Sequence, residues 1–221
     1  MIAQHPTAGR FQGRLRAALS CALLGLLAGC ASQGQTPLAA SLQALWPDDE
    51  VTVANASAIP HASLSVSIGD VQGLMVLGTQ AGDMTYWPAQ HGMVLELHDG
   101  GLHATNGLAE DLLGTHYDDG VPWRQDAPAS FTLVRHWHNR QGEVVRSEAR
   151  GMMRCRGTER LPLPLEARDA ERCNVSLDWI KGDTTTATYW RDPDTRRLWA
   201  VQETPWPGAP TMQWQVARHW W

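Results

Sequence analysis

The sequence predicts an all-β protein, a single antiparallel domain that is barrel-like or strongly curled, with one short helix near its N-terminal end. Three observations support this fold class. Apolar and polar residues alternate with a period of two over much of the chain after residue 60. Thirteen prolines and twenty glycines divide it into short segments, and eleven tryptophans favour strands over helices. A barrel-like closure would remove exposed edge strands.

The first 29 residues resemble the signal peptide of a bacterial lipoprotein. Three arginines precede the apolar run Ala17–Ala28, which falls short of the roughly 20 residues of a membrane-spanning helix. The run ends in Leu27-Ala28-Gly29-Cys30, which resembles a lipobox. We expect cleavage before Cys30 and acylation of its thiol, which would anchor the domain in membrane lipid. An ordinary signal peptide with an incidental cysteine is the alternative.

The expected organisation is therefore a signal peptide over 1–29, a lipidated Cys30 with a tether over 30–37, and a β-rich domain over 38–221. Ala31 and Ser32 follow the cysteine, and no aspartate is present there. By resemblance to sorted lipoproteins, this favours the outer membrane, with the domain facing the periplasm. Within the domain, the apolar spacing of Leu38–Trp46 predicts the helix, and Pro47 ends it.

About ten strands follow, and their alternation sets their approximate limits. We also expect a hairpin between 74–79 and 84–87, an irregular loop over 115–129 and a turn at 192–194. The predicted strands cover residues 63–68, 74–79, 84–87, 93–97, 102–105, 131–138, 144–156, 173–179, 184–191, 197–203 and 212–216.

The stretch His98–Gly114 is the most specific local pattern in the chain. Asp99-Gly100-Gly101 predicts a tight hairpin turn, and Asn106-Gly107 predicts a second stop. The apolar spacing of Leu108–Leu113 then predicts one or two helical turns. Because acidic residues cluster there, the stretch is also a place to look for a catalytic acid.

Cys155 and Cys173 form an even pair in an oxidising compartment, which predicts a disulfide. An antiparallel hairpin that sets them opposite each other places its turn near Leu163-Pro164, where prolines break pairing. The same register sets Gly151 opposite Leu177 and Ala149 opposite Trp179, small against large. It also sets Arg150 opposite Asp178, a favourable charge pair.

Two further patterns suggest chemistry, and each has a simpler interpretation. His136 and His138 share one face of a strand at a spacing that some zinc sites use, but no third ligand is evident nearby. Asp118-Asp119 and Glu110-Asp111 suggest glycoside cleavage, although such acids are more often solvated turn residues. No Gly-x-Ser-x-Gly motif and no free cysteine supply a nucleophile. We therefore assign no catalytic residue, no metal site and no cofactor.

One strand carries four arginines on one face: Arg146, Arg150, Arg154 and Arg156. They suggest a weak contact surface for a partner or an acidic polysaccharide, or simply the solvated face of a twisted sheet. The tryptophans could stack on sugar rings, but most are expected in the core because the chain has only two phenylalanines. A formal charge of −5 gives no basic footprint for nucleic acid.

Several segments in order resemble the YjbF/GfcB family of group 4 capsule polysaccharide lipoproteins. They are Leu27–Cys30, Thr105–Leu108 with Asp111-Leu112, Tyr189–Asp192, Leu198-Trp199 with Gln202, and the terminal strand. The resemblance implies an all-β outer-membrane lipoprotein that assists capsule or exopolysaccharide export or assembly without catalysis. Its expected partners are polysaccharide-export proteins or the polysaccharide. A periplasmic carbohydrate-binding module and a polysaccharide-modifying hydrolase are the alternatives.

Overall fold

The structure is a computed structural model that describes residues 53–89 and 92–221. These residues form thirteen strands, one α-helix and one 3₁₀ turn at Pro122–Arg124. The elements are α1 (Val53–Ala58), β1 (Ser63–Ile68), β2 (Val71–Val76), β3 (Thr79–Ala81), β4 (Met84–Pro88), β5 (Val94–His98), β6 (Gly101–Asn106), β7 (Leu112–Tyr117), β8 (Ala129–His138), β9 (Val144–Pro162), β10 (Ala167–Trp179), β11 (Thr185–Arg191), β12 (Leu198–Glu203) and β13 (Met212–Arg218).

The strands form two antiparallel sheets, which confirms the predicted fold class. The larger sheet is a half-barrel of nine strands in the order β2-β1-β13-β12-β11-β10-β9-β8-β7. The smaller sheet has four strands in the order β3-β4-β5-β6. The predicted signal peptide, Cys30, the tether and the helix Leu38–Trp46 all lie outside the described residues.

Alternation of apolar and polar side chains places one face of strands such as β1 in the core. On β1, for example, Leu64 and Val66 are buried, while Ser65 and Ser67 are half-buried. Tryptophan fills much of the interior, as the shortage of phenylalanine predicts. Seven of the ten described tryptophans are buried, and Trp137 stacks on Trp206 with ring centroids 5.4 Å apart.

The hairpin of β9 and β10 has the register predicted from the sequence. Cys155 lies opposite Cys173, and the two are joined by a disulfide. Gly151 pairs with Leu177, and a Cβ there would overlap the ring of Phe131 on the neighbouring strand β8. The small residue is therefore required by close packing of the sheet face.

The stretch after β6 differs from its prediction, because Leu108–Leu113 forms no helix. The chain bends over residues 107–110, and β7 begins at Leu112. The carboxylate of Asp111 holds this bend: it accepts hydrogen bonds from the backbone N–H groups of Gly107 and Leu108 and from the Thr105 hydroxyl, at 2.9–3.0 Å. Short polar side chains of this kind compete with helix formation by bonding nearby backbone groups.

Two other sequence predictions are corrected by strand pairing. The expected hairpin of 74–79 with 84–87 is wrong, because β2 pairs with β1, whereas β4 pairs with β3 and β5. The expected loop over 115–129 begins with the strand β7, which pairs with β8. Elsewhere the hairpin turn at Asp99-Gly100 is confirmed, with φ values of +50° and +83°.

No helix in the described part of the chain is long and apolar enough to cross a membrane.

Candidate ligand-binding cleft

A buried ion pair links strands β8 and β12 of the larger sheet. The guanidinium of Arg135, on β8, donates to Glu203 at 2.8 Å, to the Pro205 carbonyl at 2.6 Å and to the Thr115 hydroxyl at 3.1 Å. Both charged side chains are 1% exposed. Because every arm of the guanidinium has a partner, this pair serves the fold and offers no open group for chemistry.

Two tyrosines lie beside the pair. Desolvation raises the pKa of Tyr117 to about 12, and the charge of Arg135 only partly offsets that rise. Burial also raises the pKa of Tyr189, together with its proximity to Tyr117. For Arg135, burial is the largest effect and lowers the pKa, but the charge and hydrogen bond of Glu203 together with the two tyrosines outweigh it, so the net pKa is raised. Both phenols are therefore neutral at physiological pH and are poor candidates for an acid–base role.

A cleft of about 320 Å³ opens where the turns of both sheets meet the C-terminal residues. Its volume is at the lower end of the range, about 300–1,000 Å³, of small-molecule sites. Four charged groups and two tryptophans contribute to its walls, together with Gln80, Gly100 and Leu198. The charged and aromatic residues are Asp83, Asp99, Arg124, Arg197, Trp220 and Trp221.

One wall of the cleft is held by a bidentate ion pair. Arg124 donates through Nε to Asp99 at 2.6 Å and through a second nitrogen to the other oxygen of that carboxylate. Trp123 donates its indole N–H to the same carboxylate at 3.1 Å, and Arg124 also donates to the Thr195 carbonyl at 2.5 Å. The hydrogen bond to the Asp99 carboxylate raises the pKa of Arg124, and the charges of Asp99 and Asp83 add to that rise, so the guanidinium stays charged. Paired planar groups of this kind fix geometry as well as charge.

The other two charged groups of the cleft have no hydrogen-bonded side-chain partner among the described residues. The backbone carbonyl of Asp83 accepts from Asp99 at 2.8 Å, but its carboxylate accepts no hydrogen bond from this part of the chain. The guanidinium of Arg197 lies 5.2 Å above the ring of Trp221. It forms no ion pair with any described residue. An acceptor-only group and a donor-only group therefore face one cleft with their polar atoms available.

The turn before β8 is held to the sheet by two arginines, Arg191 from the family-like segment Tyr189–Asp192 and Arg196 from the turn that follows it. Arg191 donates to the carbonyls of Trp123 and Gln125, both at 2.7 Å, and to Glu171 at 2.7 Å. Arg196 donates to the Arg124 carbonyl at 2.7 Å. These bonds fix the turn that carries Trp123 and Arg124, and Arg124 lines the cleft.

The histidines of β8 are placed apart from other metal-binding groups. His136 pairs with Arg146 across the sheet, and His138 pairs with Val144. In the described ranges, the one group of three side chains close enough to share a metal ion is Cys155, Cys173 and Glu171. Its two sulfurs form the disulfide, so no thiolate is left to bind a metal there.

The acidic residues that suggested hydrolysis do not converge. Asp111 is committed to the bend after β6, and Glu110 lies 3.7 Å from Arg140. Asp118 and Asp119 are exposed after β7, where Asp118 lies 3.8 Å from the imidazole of His116. None of these four carboxylates lines the cleft that holds Asp83 and Asp99.

The four arginines of β9 are all exposed on one face of the strand, as the alternation predicts. None of them forms an ion pair within 4.0 Å with another described residue. Arg150 lies opposite Asp178, and both line a shallow depression with Asp119. Their role as a contact surface for a partner stays a prediction.

Of the charged and aromatic residues that line the cleft, the sequence singles out Asp99 alone. Asp99 was assigned to turn chemistry, which is correct, but it also carries the ion pair with Arg124. Asp83, Arg197 and Trp221 come from distant segments, and no motif links them. The available signal was charged and aromatic residues at strand ends and turns, where loops carry binding groups.

Fold and cleft together define an antiparallel β protein whose concave site presents paired and unpaired charges beside tryptophan rings. The chain belongs to the family described as "Group 4 capsule polysaccharide lipoprotein gfcB, YjbF", whose profile matches residues 36–216. Its two C-terminal tryptophans lie beyond the matched region, so the family match does not account for them. No curated protein matches the sequence.

Among solved structures, the chain is similar to the hypothetical lipoprotein YmcC from Escherichia coli (K12). The two are 16% identical and superpose with a TM-score of 0.72, over 85% of this chain and 98% of that one. At this identity the likeness establishes the fold, and it agrees with the family resemblance seen in the sequence.

Proposed function

We propose that this protein is a lipid-anchored outer-membrane protein that faces the periplasm and assists export or assembly of a capsule or extracellular polysaccharide, without catalysing a reaction. The family match over residues 36–216 carries the proposal. The lipobox-like Leu27–Cys30 supports the anchor, with Cys30 as the lipidated residue. Ala31 and Ser32, which bring no aspartate after the cysteine, support the outer membrane.

The positions of the acidic side chains support the non-catalytic part. Glycoside cleavage needs two carboxyl groups facing each other across a substrate, one of them free to act as an acid. In the cleft, Asp99 is held by Arg124 and Trp123, which leaves Asp83 as the one unpaired carboxylate on its described walls. A single open carboxylate beside arginine and tryptophan suits binding better than hydrolysis.

Deletion of the gene tests the function, and complementation tests the anchor. We expect the deletion to lower surface polysaccharide and a wild-type copy to restore it. Cys30→Ala removes the acylated residue and should not restore it, while membrane fractionation should show the protein released. Normal polysaccharide in the deletion strain would overturn the proposal.

A second pair of variants tests the membrane in which the protein acts. Ala31→Asp keeps the lipidated cysteine but introduces the aspartate that sorted lipoproteins avoid, so it should hold the protein in the inner membrane and abolish rescue. Ala31→Ser is the matched control and should rescue fully. Full rescue by an inner-membrane Ala31→Asp protein would reject the outer-membrane assignment.

A further inference from the structure

We propose that the cleft lined by Asp83, Arg197, Trp220 and Trp221 binds a neutral pyranose unit of a polysaccharide. This inference rests on the proposed function, because it names the class of ligand and the place where the protein would hold it. The proposed function could also be carried out by a protein that binds only other proteins. The inference goes further, because it states that this protein contacts the polysaccharide directly.

The first support is a pair of charged side chains that form no hydrogen bond in the described part of the chain. The Asp83 carboxylate can only accept hydrogen bonds, and the Arg197 guanidinium can only donate them. A sugar hydroxyl does both, so adjacent hydroxyls of one ring can bond an acceptor and a donor together. Neither side chain forms a hydrogen bond in the described part of the chain: the Arg197 guanidinium rests on the Trp221 ring, and the Asp83 carboxylate interacts with Arg124 through its charge alone, so both keep their hydrogen-bonding capacity for a ligand.

The second support is the rigidity of the opposite wall. Arg124 is held by both oxygens of Asp99 and by the Thr195 carbonyl. Asp99 in turn sits at a positive φ in the turn between β5 and β6. Such preorganisation lowers the entropy lost on binding, because the wall is already ordered before the ligand arrives.

The third support is the aromatic part of the lining. Trp220 and Trp221 are half-buried, with ring centroids 4.4 Å apart, and Trp220 packs edge-on against the buried Trp87. Trp221 packs against Trp199 at 5.1 Å. Indole rings combine large apolar area with few rotatable bonds, which suits the C–H surface of a pyranose ring.

The charge of the cleft favours a neutral sugar over an acidic one. Two carboxylates and two guanidinium groups line it, so their formal charges cancel. An anionic sugar would gain from Arg197 but would meet the unpaired Asp83 in the same space, at a desolvation cost. The volume of about 320 Å³ accommodates about one or two sugar rings and not a long segment of polymer.

The test is a binding titration of the full-length lipoprotein in detergent, followed by tryptophan fluorescence. The probe is a set of neutral oligosaccharides made by partial hydrolysis of the surface polysaccharide from producing cells, with hexuronate oligomers as the acidic comparison. We expect saturable binding of neutral fragments, weakened at least tenfold by Asp83→Asn and by Arg197→Gln. Asp70→Asn and Arg140→Gln, which change exposed residues in turns away from the cleft, should bind normally.

Several outcomes would overturn the inference. They are no saturable binding by the wild-type protein, tighter binding of hexuronate oligomers, and equal affinity in all four variants. Loss of binding in Arg150→Gln or Arg154→Gln, with normal binding in Arg197→Gln, would move the site to the arginine face of β9. If a cleft variant melts at a lower temperature, saccharide protection of residues 79–86 and 197–221 from hydrogen exchange in the wild type decides instead.

Complementation separates this inference from the proposed function. If the gene deletion lowers surface polysaccharide and Asp83→Asn and Arg197→Gln both restore it fully, the function stands and the cleft has no part in it. If the deletion has no effect while the cleft still binds neutral fragments, the proposed export role fails and the binding site stands.

Discussion

The guanidinium of Arg135 lies 2.8 Å from the carboxylate of Glu203, and both side chains are 1% exposed. Removing one partner would leave the other charge buried without compensation, which typically costs about 3–5 kcal/mol. We therefore expect Glu203→Leu to lower the free energy of unfolding by about that amount. Urea denaturation followed by tryptophan fluorescence measures it.

The double variant Arg135→Met, Glu203→Leu is the control for this pair. Replacing both charges with apolar groups removes the uncompensated charge, so the double variant should be more stable than Glu203→Leu alone. A double variant as unstable as the single one would show that the other bonds of Arg135, to Thr115 and Pro205, matter more than its charge.

Asp111 supports the fold without taking part in chemistry, and a substitution can show this. Asp111→Ala removes acceptors for Gly107, Leu108 and Thr105, two of which are backbone groups. We expect a loss of roughly 1–3 kcal/mol in the free energy of unfolding. Asp118→Ala is the matched control and should change stability by less than about 0.5 kcal/mol, because its side chain is exposed and its contact with the exposed His116 is 3.8 Å long. Equal losses in the two variants would contradict this role.

The strands were predictable where one face of the strand is buried and the other is exposed to solvent. The alternation of Leu64, Val66 and Ile68 fixed β1, and the cysteine pair fixed the register of β9 and β10. The bend over residues 107–110 is not predicted, because the apolar spacing of Leu108–Leu113 fits a helix, while the single carboxylate of Asp111 overrides that tendency. The division into two sheets depends on long-range pairing that no local pattern reveals.

The cleft was much less predictable than the fold. Asp83, Asp99 and Arg197 each occupy a turn or a strand end, where polar residues are expected for solvation alone. Only the pairing of the strands brings them to one place. Trp221 had no sequence signal, because a tryptophan-rich chain gives no means of separating core rings from surface ones.

The disulfide between Cys155 and Cys173 should contribute to stability through the unfolded state. It closes a loop with a sequence separation of 18 residues, for which the chain-entropy estimate is about 3 kcal/mol. Cys155→Ser with Cys173→Ser should lower the free energy of unfolding by about this amount. Non-reducing peptide mapping of the protein isolated from cells should recover the linked peptides from the wild type. Two free thiols there would reject the bridge.

Alkaline pH should destabilise the protein through the tyrosines beside Arg135. The pKa of Tyr117 is raised from 10 to about 12, so between these values the folded state holds a proton that the unfolded state has lost. The contribution of Tyr117 to the free energy of unfolding should be constant below pH 10. It should fall as the pH rises from 10 toward 12. Tyr117→Phe should make that fall shallower in equilibrium denaturation. An unchanged slope in the variant would contradict the assignment.

Two glycines in neighbouring strands should respond differently to the same substitution. A Cβ on Gly101 would overlap the ring of Trp123, whose indole N–H donates to the Asp99 carbonyl at 3.0 Å, while a Cβ on Gly114 would meet nothing within 4 Å. Gly101→Ala should therefore cost about 1–3 kcal/mol through overpacking, and Gly114→Ala should be neutral or slightly stabilising. Because displaced Trp123 would also move Arg124, Gly101→Ala should weaken saccharide binding in the same titration. Normal binding in a destabilised Gly101→Ala protein would show that the cleft wall is not set by this contact.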